Sequence, residues 1–296
     1  MMDAFSIVKD LLFWIEDNLE NDMSIDAISH KAGYSKWHLQ RMFSSVTGYK
    51  LGTYVRERRL TLSAYALRVT STSIVDIAVL YRFESQQSFT RSFKRTFGKS
   101  PGAYRHSPEW DFNGLRPHLG MDNKFIPSHS FIIMPELNLS GITHSYSCRP
   151  SDFSSESVNR QVNYWGEHLK KHDITGEKLY GLRKFQPVKI NGYEKEILYT
   201  TALVKTDGNY VEPELDSLKL EGGLFVKFNF TGTLTELLEF VVFIYKSYLP
   251  LLNISRRDDY DVEVFYLSKD GFSINDNIVC DYLIPIQGSA GGRRGR

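Results

Sequence analysis

Hydrophobic positions along the first hundred residues recur with the period of an α-helix. Residues 5–19 carry apolar side chains three or four positions apart, which predicts an amphipathic helix. Three further helices are then predicted, at residues 25–32, 36–48 and 52–69. Ser24 and Ser35 stand where N-caps belong, and Gly33 between them suits a left-handed turn. Two short helices joined by a tight turn are the geometry of a helix-turn-helix unit.

The same pattern recurs about fifty residues later. Ser24 corresponds to Ser73 at an offset of 49. After one additional turn residue, Arg41 in the first copy corresponds to Arg91 in the second at an offset of 50. The stretch "QQSFTRSFKRTFG" therefore predicts the second helix of a second unit, so the helix-turn-helix pattern occurs twice in one chain.

Beyond "SPEW" the pattern changes to alternating and β-branched segments. These segments predict strands at residues 130–134, 139–147, 178–185, 197–204, 223–230, 262–267 and 279–286. Helical patterns interrupt them at about 153–171 and 233–248. The order of strands and helices predicts an α+β domain built by internal duplication.

The chain is therefore predicted to be a multidomain protein, with an all-α double helix-turn-helix domain followed by an α+β domain. The expected ranges are 1–107 for the double helix-turn-helix domain, 108–123 for a linker and 124–287 for the second domain. "GSAGGRRGR" at 288–296 is expected to be a flexible tail or a remnant of expression cloning.

Charge is divided unequally between the two parts. The formal net charge of the chain is +1. Residues 24–107 hold 14 basic against 4 acidic residues, a net charge of +10, and residues 108–287 hold 18 against 25, a net charge of −7. This asymmetry favours a polyanionic partner for the first domain, although a basic face can also be ordinary solvated surface.

Composition limits the class of protein. Hydrophobic residues make up 42% and charged residues 24% of the chain, as in a globular protein. Its apolar runs are too short to cross a bilayer, so no membrane association is expected. The two cysteines are far apart and show no metal-type spacing, and no cofactor motif is visible. A cytoplasmic protein is expected.

The helix beginning at Lys36 has two dissimilar faces. Its core stripe comprises Leu39, Met42, Phe43 and Val46. The opposite face is expected to read DNA bases through Lys36, Trp37, Gln40 and Arg41. The corresponding face of the second unit carries Gln86, Gln87, Ser88, Arg91 and Arg95. The alternatives are that Trp37 packs on a neighbouring helix and that the polar residues are solvated surface or form salt bridges.

The spacing of the two units suits duplex DNA. A connecting helix of ~18 residues is ~27 Å long, and successive major-groove faces of B-DNA lie ~34 Å apart. One chain is therefore expected to bind double-stranded promoter DNA as a monomer. Phosphate contacts are expected from Arg56, Arg58, Arg59, Lys94 and Lys99.

The segment "FTRSFKRTFGKSPGAYR" (Phe89 to Arg105) resembles the closing signature of the AraC/XylS class of bacterial transcription activators. "KAGYSKWHLQRMF" and "YRFESQQSFTRSFKRTF" are similar to the branch of MarA, SoxS and Rob. The resemblance implies base contacts by Trp37, Gln40 and Arg41 in the first unit and by Gln86, Gln87 and Arg91 in the second. It also implies activation of stress and antibiotic-resistance promoters through RNA polymerase, on the nucleoid. Arg82 stands where a turn glycine is usual, and a left-handed arginine would be strained by roughly 1 kcal/mol.

The second domain resembles the GyrI-like effector-binding fold, which implies a small amphipathic or aromatic effector. Glu263 matches the glutamate that such domains carry in a strand. Candidate walls of the effector site are Trp165, Tyr180, Phe185 and Tyr199. The alternatives are that Glu263 is an ordinary exposed strand residue and that the aromatic side chains form plain core. A buried glutamate would favour cations.

Two other functional classes are open to such a chain, an enzyme and an architectural DNA-binding protein. Some GyrI-like domains are hydrolytic, but no nucleophile elbow, paired-carboxylate motif or metal spacing is visible, so no enzyme is expected. "HLKKH" (His168 to His172) together with His144 is a weak metal signal without a further ligand. The third class is an architectural protein that binds DNA without activating transcription.

Overall fold

The computed structural model describes residues 4–119, 127–147, 160–161, 163–166, 178–185, 196–204, 215–266 and 277–288. Its N-terminal part is helical, as predicted. The helices are α1 (Ala4–Asp17), α2 (Ile25–Ala32), α3 (Lys36–Thr47), α4 (Leu51–Val69), α5 (Ile74–Leu80), α6 (Gln86–Phe97) and α7 (Pro101–Arg105). The pairs α2–α3 and α5–α6 are the two helix-turn-helix units, and α4 connects them.

Local capping chemistry fixes the ends of these helices. Serine side chains accept a hydrogen bond from the backbone N–H three residues ahead at five N-caps, Ser24, Ser35, Ser73, Ser85 and Ser100. Each such cap contributes ~1 kcal/mol. Gly33 ends α2 at φ 73° and Gly48 ends α3 at φ 76°, both in the left-handed region. The predicted caps and turn are confirmed.

The second turn contains an arginine in the glycine position. Arg82 has φ 59°, which is the left-handed conformation, and an L-residue with a Cβ atom pays roughly 1–2 kcal/mol for it. Its Nε atom donates a hydrogen bond of 2.7 Å to the carbonyl oxygen of Glu20. This contact to the segment after α1 offsets part of the strain.

The second part of the chain is mostly strand. Its elements are β1 (Trp110–Asp111), β2 (His129–Met134), β3 (Leu137–Ser147), β4 (Lys178–Phe185), β5 (Glu196–Val204), β6 (Asp216–Leu220), β7 (Gly223–Gly232), α8 (Leu234–Phe243), a π-helical turn (Ile244–Tyr248), α9 (Leu249–Leu252), β8 (Ser255–Arg256), β9 (Asp261–Tyr266) and β10 (Ile278–Pro285). The seven predicted strands are present within two residues of their predicted ends. Residues 160–161 and 163–166 are helical, and the rest of the helix predicted at 153–171 lies outside the described residues.

Eight strands form one antiparallel sheet in the order β2-β7-β10-β9-β4-β5-β3-β6. The first half of the domain contributes β2, β3, β4 and β5 to this sheet, and the second half contributes β6, β7, β9 and β10. From either edge inward, the sheet contains the first strand of one half, followed by the second, fourth and third strands of the other half. The first strand of each half therefore pairs with the second strand of the other half. This arrangement is the predicted duplication, and it places β9 beside β4 at the centre of the sheet.

The segment after α7 packs against both parts of the chain. β1 pairs with β8, and Trp110 is buried with its ring centroid 4.9 Å from that of Tyr245 in the π-helical turn. The ring centroid of Tyr65 in α4 lies 6.0 Å from that of Trp110 and 6.3 Å from that of Tyr245. Helix α4 therefore packs against the second domain through aromatic rings. In the portion that the structure describes, every helix is too short or too polar to cross a membrane.

Candidate nucleic-acid interface and ligand site

The outer face of α3 presents the predicted side chains to solvent. Leu39 and Phe43 are buried on the inner face, which turns Trp37, Gln40 and Arg41 outward. Trp37 is 67% exposed, and the guanidinium carbon of Arg41 lies 5.3 Å from its ring centroid. The indole thus packs on Arg41 of its own helix, and most of its surface is exposed.

Lys36, the first residue of α3, has a partner. Its ammonium group forms an ion pair with Asp26 of α2, and both side chains are more than half exposed. An exposed pair of this kind contributes only ~0.2–1 kcal/mol and is easily exchanged for another anion. Lys36 therefore remains able to contact a phosphate.

Helix α6 repeats the arrangement. Phe89 and Phe93 are fully buried, and their rings pack edge to face at 5.5 Å. The predicted polar residues lie on the other side, with Ser88 half-buried at its margin and four exposed side chains, Gln86, Gln87, Arg91 and Arg95. Both units therefore present amide and guanidinium groups, which match the hydrogen-bonding edges of adenine and guanine.

One predicted phosphate contact is wrong. Arg58 is 1% exposed, and its Nη2 atom lies 2.6 Å from the Glu16 carboxylate. Its Nη1 atom donates to the carbonyl oxygens of Arg116 and Lys246. The reason is that α4 is enclosed by α1 on one side and the second domain on another, so Arg58 is a structural residue at the domain junction and cannot reach DNA.

The other arginines of this helix are closer to solvent. Arg56 is exposed, and Arg59 is half-buried with hydrogen bonds to the carbonyl oxygens of Leu19 and Asn21. Both line a cavity of about 300 Å³ together with Arg82 and Ser88. Burial and the charge of Arg82 lower the pKa of Arg59. Three arginines and Glu84 line the cavity, so the formal charge of its lining is positive, which suits a phosphate group beside α6.

The length of α4 sets the distance between the two faces. It has 19 residues, so its axis is ~28 Å long. That length is comparable to the ~34 Å between successive major-groove faces. The fit of the exposed faces of α3 and α6 to one side of a duplex is therefore still a prediction, with a connecting helix of suitable length.

A buried ionic cluster occupies the centre of the sheet in the second domain. Glu263 of β9 is fully buried. Its carboxylate accepts a hydrogen bond of 2.6 Å from the Tyr199 hydroxyl and one of 3.1 Å from Nη2 of Arg183. The Trp165 indole N–H in turn donates to the Tyr199 oxygen at 3.1 Å. Three predicted effector-site residues, Glu263, Tyr199 and Trp165, thus meet around one carboxylate.

Electrostatic interactions in this cluster favour the charged form of Arg183 and the neutral form of Tyr199. Burial alone would lower the pKa of Arg183, but the attraction of the Glu263 carboxylate prevails and the pKa is raised well above its usual value. Burial and the same carboxylate raise the pKa of the Tyr199 hydroxyl. Arg183 therefore remains a cation and Tyr199 remains a hydrogen-bond donor throughout the physiological range.

The other two predicted effector residues lie elsewhere. Tyr180 pairs with Val264 across the β4–β9 ladder, so its side chain points to the opposite face of the sheet from Glu263. There it belongs to a separate hydrophobic cluster. Phe185 is on the same face as Glu263, but its ring lies 6.4 Å from Tyr245 near the domain junction.

Sequence reasoning missed two residues of the cluster, Arg183 and Gly181. A Cβ atom on Gly181 would lie 2.5 Å from Oε2 of Glu263 and 2.6 Å from the Tyr199 hydroxyl. A glycine inside a strand marks such a close approach, so "LYGLR" held a signal for Gly181. The sequence held none for Arg183, because its partner is 80 positions away.

A second buried carboxylate lies two residues before Glu263 on the same strand. Asp261 accepts hydrogen bonds from the hydroxyls of Tyr245 and Tyr282 at 2.6 and 2.7 Å, and it forms an ion pair of 2.9 Å with Arg256. Tyr245 also stacks on Trp110. Strand β9 thus runs from the Glu263 cluster to the domain junction.

The weak metal signal stays unsupported. His168 and His172 lie outside the described residues. Within those residues, no group of three potential metal ligands occurs, and His144 stacks on Tyr164 with ring centroids 3.8 Å apart.

Comparison with known protein families assigns both parts of the chain. A helix-turn-helix domain family matches residues 28–107. The GyrI-like small molecule binding domain family matches residues 128–287, which is more than half of the chain.

Known proteins resemble the chain over nearly its whole length. The transcriptional regulator Rob of Salmonella typhimurium and the right origin-binding protein of Escherichia coli are each 40% identical over 288 residues, covering 97% of this chain and 100% of each relative. A match over a shorter segment is to the transcriptional activator AarP of Providencia stuartii, which is 48% identical over 102 residues, covering 34% of this chain and 76% of AarP.

Proposed function

Since this chain belongs to the family of AraC-type transcription regulators with a GyrI-like domain that includes Rob, we propose that it activates promoters in response to a small molecule. It binds promoter DNA as a monomer, with α3 and α6 in two successive major grooves. Activation proceeds through contact with RNA polymerase on the nucleoid of the cytoplasm. The promoters belong to stress and antibiotic-resistance genes, as the resemblance to the MarA, SoxS and Rob branch implies.

The exposed indole of Trp37 is the observation that most supports this DNA-binding mode. A tryptophan that is 67% exposed beside the Arg41 guanidinium offers a large aromatic surface to a partner, and tryptophan is enriched at binding interfaces. Thymine methyl groups and sugar edges provide such a partner in the major groove. Arg41 at its side would then be directed at a guanine.

The direct experiment begins by selecting a duplex from a random pool with the purified chain. Fluorescence anisotropy then compares wild type with Arg41→Ala on that duplex. The loss should be ~1–3 kcal/mol, or roughly 5- to 150-fold in Kd. Lys219→Ala is the matched control, because it removes one exposed charge from β6 in the second domain. Equal affinity of Arg41→Ala and wild type would overturn the assignment of α3.

Strand β9 supports a connection between ligand sensing and DNA binding. It carries Glu263 at the ligand site and Asp261 at the junction where Tyr245 and Trp110 pack on α4. A ligand that displaces β9 would change the surroundings of the helix that spaces the two recognition faces. Hydrogen–deuterium exchange tests this: saturating ligand should change protection in α4, and unchanged exchange there would contradict the coupling.

The hydrolase alternative receives less support. The buried carboxylate of Glu263 already accepts hydrogen bonds from Arg183 and Tyr199, which leaves it poorly placed as a general base. The relatives reported above are named as regulators. Wild type and Glu263→Gln should hydrolyse p-nitrophenyl acetate at the same rate. A rate of hydrolysis that depends on Glu263 would support the hydrolase alternative.

A further inference from the structure

The carboxylate at the proposed ligand site already has a cationic partner inside the protein. Arg183 and Glu263 are 4% and 0% exposed, and Nη2 of Arg183 lies 3.1 Å from Oε1 of Glu263. They lie on the same face of the adjacent central strands β4 and β9, where Gly181 pairs with Glu263 and Arg183 pairs with Asp261. The site as built is therefore close to electrically neutral.

This pairing opposes the binding of a cationic ligand. A cation that took the place of Arg183 would leave a fully buried guanidinium group without its counter-charge, which is strongly unfavourable. A cation that bound beside the intact pair would bring a net positive charge into a buried site. Binding of a carboxylate ligand would also be unfavourable, because it would add a second anion beside Glu263.

Two side chains in this region have hydrogen-bonding groups without partners among the described residues. They are Nε of Arg183 and both amide atoms of Gln161, which is 2% exposed. Gln161 lies one helical turn before Trp165, so the two side chains share a face of their helix. Buried polar atoms are rarely left unsatisfied, so these donors and this acceptor are available to an uncharged polar ligand.

We propose that Arg183 determines the specificity of this site by neutralising Glu263, so that the site selects uncharged aromatic ligands bearing a carbonyl group and rejects lipophilic cations. The carbonyl oxygen accepts from Nε of Arg183, and an N–H or O–H group of the ligand donates to Gln161. The rings contact Trp165 and Tyr199. This inference rests on the proposed ligand-sensing function and narrows its substrate class.

Three tricyclic probes of one shape test the proposal: acridone, which is neutral and carries a carbonyl group, 9-aminoacridinium, which is a cation, and acridine-9-carboxylate, which is an anion. Isothermal titration calorimetry of the full chain without DNA measures each. Wild type should bind acridone at least tenfold more tightly than either charged probe. In Arg183→Met the cation should gain at least tenfold, because Glu263 has lost its internal partner.

Two further variants keep the test decisive. Arg183→Gln replaces Arg183→Met if the latter does not fold, because glutamine can still donate a hydrogen bond to Glu263. It should gain cation binding in the same way. Arg183→Gln combined with Glu263→Gln should lose that gain, because the carboxylate is gone. Wild type that binds 9-aminoacridinium as tightly as acridone overturns the role of Arg183 but leaves ligand sensing intact. Binding of no probe to wild type or to either Arg183 variant overturns the sensing function itself.

Discussion

Replacing Arg58 by methionine should destabilise the protein far more than replacing any exposed arginine. The substitution keeps most of the aliphatic stem but removes the guanidinium group from its 2.6 Å contact with Glu16. Glu16 then remains largely buried, and among the described residues the Tyr54 hydroxyl, at 2.9 Å, is the hydrogen-bond donor left to it. Breaking a buried pair in this way costs ~3–5 kcal/mol, and the lost hydrogen bond to the carbonyl oxygen of Lys246 adds to it.

The loss should depend on pH, with a sign that follows from Glu16. Burial raises the pKa of Glu16, but the Arg58 charge and its hydrogen bond prevail, so the pKa lies below its ordinary value of 4.5. A depressed carboxylate pKa contributes stability that is present above the ordinary pKa and is lost as pH falls through the folded value. The difference between wild type and Arg58→Met should therefore be largest near neutral pH and shrink below about pH 4.5.

Urea unfolding followed by circular dichroism measures both effects. Arg56→Met is the matched control, because Arg56 is an exposed arginine on the same helix, and its free energy of unfolding should change by less than ~0.5 kcal/mol. A loss below ~1 kcal/mol at neutral pH for Arg58→Met, or the same loss at pH 4 and pH 7, would refute the reasoning about this buried pair.

Three further outcomes are expected. Arg56→Ala should reduce the slope of log K against log salt concentration by about 1 in a DNA titration, and an unchanged slope would remove Arg56 from the phosphate contacts. Gly181→Ala should cost ~1–3 kcal/mol in urea unfolding, because its Cβ atom would lie 2.5 Å from Glu263 Oε2, whereas Gly52→Ala in α4 meets no atom within 4 Å and should not destabilise. Ser85→Ala should lower stability by ~1 kcal/mol through loss of the α6 cap, and full recovery by Ser85→Asp would confirm that the cap is the cause.

The helix-turn-helix units could be predicted closely because their signals are local. Ser35 and Gly48 delimit α3 by hydrogen bonds and a backbone conformation that involve only neighbouring residues. The alternation of "KLYGLRKF" likewise located β4 at the residues where it occurs. Strand β6 was missed, since "DSLKL" is short, largely polar and lies at the edge of the sheet.

What could not be predicted depends on contacts between distant segments. Arg58 looked like its neighbours Arg56 and Arg59, because a sequence does not reveal that α4 is covered on several faces. The Arg183–Glu263 pair joins two strands whose adjacency follows only from the full sheet order. Glu263 was matched to a family pattern, but its burial and its partner are properties of the folded domain.

The central claim is that one chain places the exposed faces of α3 and α6 on the same side of a duplex. Hydroxyl-radical footprinting on the selected duplex, with the protein-to-DNA ratio determined by mass photometry, tests it most directly. One chain per duplex is expected, with two protected patches about one helical turn apart on one side, and Arg91→Ala should weaken only the patch that belongs to α6. A single patch that Arg91→Ala leaves unchanged, or two chains on each duplex, would contradict it.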